Sequence, residues 1–198
     1  NLKHIIAQPC PALVSYIELY HKKLLPYLAP ADSPMMHTLK MVKEFYPKFK
    51  NPLFVFLSPC YAKKRELEVL STNALNVTFK SLDTYFKTNK IDLQAFDASD
   101  FDNPPAERAV LFSSPGGLMR TAQREMPGIE NLTRKIEGPH IVYPYFKDLE
   151  ESIKDGTAPT LIDCLSCEAG CNGGPGTLNA KPNLDSIEKF IEKRSEEA

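Results

Sequence analysis

Short apolar runs alternate with amphipathic stretches along this chain. Ile5 to Ala7 reads as a short strand, cut off by Pro9-Cys10-Pro11. From about Ala12 to Lys23 the residues Leu13, Ile17, Tyr20 and Leu24 recur at helical spacing. Prolines 26, 30 and 34 interrupt the chain, and Pro34 is placed to open a second helix through about Phe45. Leu53 to Leu57 is a continuous apolar run, the pattern of a strand buried on both faces. A charged helix from Ala62 to Leu70 follows it. Further on, the pattern predicts strands at Asn76 to Phe79, Ala109 to Phe112, Ile141 to Tyr143 and Thr160 to Asp163. The intervening helices run from an N-cap at Ser81 to Thr88, from Leu118 to Glu125 and from Phe146 to Lys154. Residues 92–107 read as loop. The repeated strand–loop–helix order predicts an α/β fold, with mainly parallel sheets flanked by helices. The last stretch, Leu184 to Arg194, sets Leu184, Ile187, Phe190 and Ile191 on one helical face. It suits either a connector to a following domain or a terminal surface helix.

Size and charge narrow the function classes. The chain has 198 residues, enough for one ordinary domain with a real core. Its net charge is −1 with no basic block, which argues against nucleic acid as a partner. No run approaches the roughly 20 apolar residues of a membrane-spanning helix. The start, Asn1-Leu2-Lys3-His4, has neither an initiator methionine nor a signal peptide's apolar core, as expected for a piece of a longer protein.

Candidate chemistry sits in the cysteines. Three of the five, Cys164, Cys167 and Cys171, fall within eight residues and run into Gly173-Gly174. The other two are each preceded by proline, in Pro9-Cys10-Pro11 and Pro59-Cys60-Tyr61. An odd, crowded set does not suggest a disulfide framework, so reduced thiols in the cytoplasm are expected. Thiolates in this density suit an iron–sulfur cluster; structural zinc is the rival, and unligated core cysteines the plainest reading. Glycines beside them would let the backbone approach an inorganic core. Cys60 and the cysteine-rich segment each follow a predicted strand, so the cluster loops belong at the C-terminal ends of strands. The histidines, at 4, 21, 37 and 140, show no metal-binding spacing, and Ser113-Ser114 lacks a nucleophile-elbow context.

Three cysteine segments and one glycine turn, in order, resemble the catalytic (H-cluster) domain of [FeFe]-hydrogenases. They are Pro9-Cys10-Pro11, Pro59-Cys60-Tyr61-Ala62-Lys63-Lys64-Arg65-Glu66, Gly116-Gly117-Leu118-Met119 and Cys167-Glu168-Ala169-Gly170-Cys171-Asn172-Gly173-Gly174. The resemblance covers roughly the latter two thirds of that domain and assigns it to residues 1–183, leaving 184–198 as a C-terminal helix that suits a linker to a downstream domain or a terminal surface helix. It implies that Cys10, Cys60, Cys167 and Cys171 ligate a [4Fe–4S] cluster and that Cys171 bridges to a di-iron subsite. Lys63 matches a catalytic-site lysine that hydrogen-bonds a cyanide of that subsite, as a buried anion requires. Gly116-Gly117 would help to wall the pocket.

The departures matter equally. Pro9 stands where efficient members carry a proton-relaying cysteine, and proline has no ionisable group. Ser58 and Leu165 stand where methionines usually precede the ligands. Cys164 lies outside the family's ligand set. This pattern resembles the sensory branch of the family, whose members often carry a downstream signalling domain. The resemblance implies reversible proton reduction and H2 oxidation, or sensing of H2 or redox state, in the full-length protein. It also implies a ferredoxin-like electron donor or an adjacent iron–sulfur domain as partner. The alternative is a non-catalytic [4Fe–4S] carrier of the assembly type. As an isolated piece, the chain is expected to hold at most the [4Fe–4S] cluster.

Overall fold

Two parallel sheets carry the fold, and their strand ends converge. The computed structural model describes residues 3–7, 9–49, 52–70, 72–99, 101–102, 106–179 and 183–197. In chain order its main elements are β1 (Ile5–Ile6), α1 (Pro11–Tyr20), α2 (Pro34–Phe45), β2 (Phe54–Ser58), α3 (Lys63–Val69) and β3 (Ala74–Thr78). They continue with α4 (Phe79–Thr88), α5 (Gly117–Ala122), β4 (Thr133–Glu137), α6 (Pro139–Lys154), β5 (Leu161–Leu165) and α7 (Leu184–Glu197). One sheet has the order β1-β5-β4 and the other pairs β2 with β3, all in parallel. The α/β class expected from the sequence is what the chain adopts.

β5 is the axis of the larger sheet and is buried along its whole length. Its side chains alternate between faces, as a strand's must. Ile162 and Cys164 join Leu13 and Ile17 of α1 and Val142, Phe146 and Leu149 of α6 in the main core. On the other face Leu161 packs with Ala7, Met119 and Ile129. Beside it, the Asp163 carboxylate accepts the Met119 N–H at the start of α5 (3.0 Å).

Four expectations need correction. The run Ala109 to Phe112 lies in a 3-10 helix, Glu107–Ser113, rather than a strand; a short apolar run carries too little periodicity to separate the two. Ile141 to Tyr143 belongs to α6, which Pro139 opens directly after Gly138. The true strand there is β4, whose sequence Thr-Arg-Lys-Ile-Glu hides it behind charge. Helix α4 is capped by Thr78, whose hydroxyl accepts the Ser81 N–H (3.2 Å), so Ser81 is the capped residue and not the cap. β2 is not buried on both faces: Val55 and Leu57 are each about half exposed, at 51% and 52%. Among the described residues, the sheet it forms has only two strands, and Phe56 and Ser58 are its more covered side.

The C-terminal stretch forms α7 as expected. It packs against the 3-10 helix Glu107–Ser113 and is tied to α5 by an Arg120–Glu192 ion pair. Leu184 and Phe190 stay exposed.

Candidate metal centre

Cys10 follows β1, Cys60 follows β2 and Cys167 follows β5, so three strand ends deliver thiols to one place. There they surround a cavity of about 210 Å³, lined by Cys10, Cys60, Cys167, Cys171, Lys63 and Ser166 among others. Residues separated by more than 150 positions thus share one wall. No three Cys, His, Asp or Glu among the described residues converge on a point where a single ion would sit. The thiols stand around a space instead.

Cys10 is the N-cap of α1, in extended conformation, with Pro11 at the first helical position. Burial raises the pKa of its thiol, outweighing the nearby backbone N–H groups of Leu13, Ser166 and Ala12 that pull it down. Burial, reinforced by the neighbouring cysteines, pushes Cys167 up to about 11. It pushes Cys171 up to about 12, with the Lys63 charge pulling the other way. Charge on any of these thiols therefore disfavours charge on the next. Without a cation between them they stay protonated at neutral pH, and a cation that binds must displace protons.

Lys63 opens α3 and lines the same cavity. Its ammonium donates to the Pro9 carbonyl (3.1 Å) and to Glu66 Oε2 (2.8 Å), both side chains of the ion pair being largely buried. The lysine is thus satisfied from within its own helix and from the Pro9 turn. Pro9 itself lines the cavity and contributes only that carbonyl.

Cys164 is not part of this wall. It is fully buried in the main core, burial raises its pKa well above the ordinary thiol value, and its nearest acceptor is the Ala7 carbonyl at 3.9 Å. Gly116-Gly117 does not line the cavity either. A Cβ on Gly117 would lie 1.8 Å from the Leu111 carbonyl oxygen, so this glycine lets α5 press against the 3-10 helix Glu107–Ser113, whose Phe112 and Ser113 are in the wall. Gly174 is in the wall itself, but its missing side chain is explained by the Pro59 carbonyl 2.6 Å from where a Cβ would be. The glycine there lets two cysteine loops meet.

Several contributors had no sequence signal. Met35 of α2 and Phe112 reach the cavity from elements that carry no cysteine. Ser166 is held by the Tyr143 hydroxyl of α6 (2.8 Å), and the Cys60 loop is held by Ser58 and Asn76. The histidines stay outside: His21 pairs with Glu150 (2.8 Å) and His4 with the Pro159 carbonyl (2.8 Å).

Residues 2–175 match the family described as iron only hydrogenase large subunit, C-terminal domain. The chain belongs to that family. Solved structures agree on the fold of this iron-only hydrogenase domain. An [FeFe]-hydrogenase studied for oxygen inactivation through its H cluster 2Fe subcluster superposes with a TM-score of 0.69 at 19% identity, over 96% of this chain and 64% of that one. The [FeFe]-hydrogenase HydA1 from Chlamydomonas reinhardtii gives 0.66 at 19% identity, over 97% and 64%. A curated relative, mouse (Mus musculus) cytosolic iron-sulfur assembly component 3, is 24% identical over 93% of this chain and 48% of its own length. The chain therefore spans about half of that relative and under two thirds of the hydrogenase chains. Helix α7 lies beyond the stretch that matches the iron-only hydrogenase family. No helix among the described residues is long and apolar enough to cross a membrane.

Proposed function

We propose that this chain is the cluster-holding part of an iron–sulfur protein, with Cys10, Cys60, Cys167 and Cys171 ligating a [4Fe–4S] cluster. One observation carries this reading: three strand ends bring those four thiols to a single cavity. The donor set suits the group. All four are sulfur, the preferred ligand of iron–sulfur clusters, and they stand around a space, whereas zinc needs them at about 2.3 Å from one point.

When bound, such a cluster supplies one-electron redox chemistry. The chain's own residues bind, orient and enclose. The α1 N–H groups favour negative charge on the Cys10 sulfur, and Lys63 places a positive charge beside Cys171. Met35, Phe112 and Leu165 keep the wall apolar. Pro9 offers no group that can carry a proton, so proton delivery to this cavity is slow. In the longer protein this arrangement serves hydrogen chemistry, or sensing of H2 or redox state, with a ferredoxin-like donor or an adjacent iron–sulfur domain supplying electrons.

A non-catalytic carrier is the second reading, and the Lys63 contacts favour it. A buried lysine usually implies an anion, but here Glu66 already provides one, so Lys63 does not require a cyanide partner. Likeness to an iron–sulfur assembly component points the same way.

Anaerobic reconstitution with iron and sulfide tests the shared core of both readings. About four irons and four sulfides per chain are expected; zinc taken up in preference to iron overturns it. Infrared spectra of the full-length protein, matured anaerobically, then separate the two. Bands in the CO and CN stretching region mean a di-iron subsite, and their absence with a full cubane means a carrier.

A further inference from the structure

The Cys60 loop is closed by a ring of hydrogen bonds that none of the cysteine motifs contains. The Cys60 N–H donates to Ser58 Oγ (3.3 Å), and Asn76 Nδ2 donates to the Cys60 carbonyl (2.8 Å). Ser58 Oγ lies 2.6 Å from Asn76 Oδ1 and 3.0 Å from the Cys60 carbonyl. A hydroxyl has one hydrogen. It belongs to the shorter contact, because the Cys60 carbonyl already has the Asn76 donor and Asn76 Oδ1 has no other. The opposite amide orientation would set Asn76 Oδ1 against the Cys60 carbonyl oxygen, so only one orientation closes the ring.

The fold makes this ring possible. β2 and β3 pair in parallel with Phe56 opposite Asn76 and Ser58 opposite Thr78, and side chains two apart on a strand share a face. Ser58, at the end of β2, and Asn76, in the middle of β3, therefore project on the same side, beneath the Cys60 loop. On the loop's other flank the Gly176 N–H holds the Pro59 carbonyl (2.9 Å). Both backbone polar groups of Cys60 are thus spent on Ser58 and Asn76.

We infer that Asn76 is a positioning residue for Cys60: with Ser58 it fixes the peptide that aims the thiol into the cavity and keeps the Cys60 N–H away from the sulfur. The inference rests on the reading of Cys60 as a cluster ligand and adds a residue from a different strand to that site. Asn76 acts only through Cys60, and its loss frees one ligand while leaving the other three as they were.

The test has two readouts, taken on the whole chain. In the metal-free protein, site-resolved alkylation by iodoacetamide should show Cys60 reacting roughly tenfold faster in Asn76→Ala, the effect of losing about one hydrogen bond. Cys167 should change less than twofold. In the reconstituted protein, Asn76→Ala should keep its iron content but give a changed EPR signature on reduction. Asn76→Leu, close in size and uncharged, lacks the donor to Cys60. It should behave like Asn76→Ala, and it decides the matter if the alanine variant fails to fold. Ser58→Ala opens the ring from its other member and should reproduce the Cys60-specific increase.

An unchanged Cys60 rate, or equal acceleration of all five cysteines, overturns the inference. A wild-type chain that takes up no iron defeats the cluster reading instead, and leaves the alkylation comparison intact.

Discussion

Lys63 shows how far a single residue can be read before its neighbours are known. Its place three residues after Cys60 marks it for the cavity, and it does line the cavity. Its pairing with Glu66 at i,i+3 changes what its burial means. Removing one partner of a buried pair leaves the other uncompensated, so Lys63→Met should cost about 3 kcal/mol in urea unfolding. Glu66→Leu in the same chain should recover most of that loss. If the double variant were no better than Lys63→Met, the pair would not be what satisfies these two groups. The cysteines divide just as sharply. Cys60→Ala or Cys167→Ala should abolish iron retention after reconstitution. Cys164→Ala should retain the iron and lose about 1 kcal/mol of stability, since it removes only a core sulfur. A Cys164→Ala protein as iron-poor as Cys167→Ala would refute the ligand assignment. At this scale cysteine and lysine were legible because their chemistry is rare and their spacing tight. Asn76 was not, because an asparagine in a strand advertises nothing.

The elements depend on a few side chains at their ends. Thr78 joins β3 to α4 through its cap on the Ser81 N–H. Thr78→Ala should therefore cost about 1 kcal/mol, measured by thermal or urea unfolding. Asp163 joins β5 to the start of α5, and its burial raises its pKa above the ordinary carboxylate value despite the Met119 N–H. A raised folded pKa means that the group's contribution is fully present below pH ~4 and is lost as pH rises through the folded value. Asp163→Asn keeps an acceptor for Met119 and has no charge to bury. It should match the wild type near pH 3 and be more stable at pH 7. A variant less stable at pH 7 would show that the carboxylate's charge at the helix start outweighs its burial. Helices α1, α2 and α3 were readable from spacing and prolines. β4 was missed because its own sequence is polar and Arg134 and Lys135 lie exposed at the edge of the sheet; pairing with β5, far away in the chain, is what makes it a strand.

At the scale of the whole molecule, the site is a meeting of two sheets. Cys10 and the Cys167–Cys171 pair belong to the sheet built on β5, and Cys60 to the β2–β3 sheet. A group bound by all four thiols holds the two sheets together and binds only the folded state. Iron loading should raise the thermal midpoint by several degrees, each 1 kcal/mol being worth roughly 2–4 °C at this chain length. A chelator should reverse the shift. A midpoint that does not move on loading would mean that the thiols are not bound together in one site.

The α/β class, the first helices, the candidate ligands and the family resemblance were all present in the sequence. They follow from local periodicity, from turn residues and from the chemistry of rare side chains, which act over a few positions. Only the tertiary structure decided that four thiols from three loops share one cavity, that Cys164 faces the core, that Lys63 is already paired and that Asn76 holds Cys60. Each depends on strand register and on which face a side chain takes. Those are set by packing between residues far apart in the chain, and no local pattern records them.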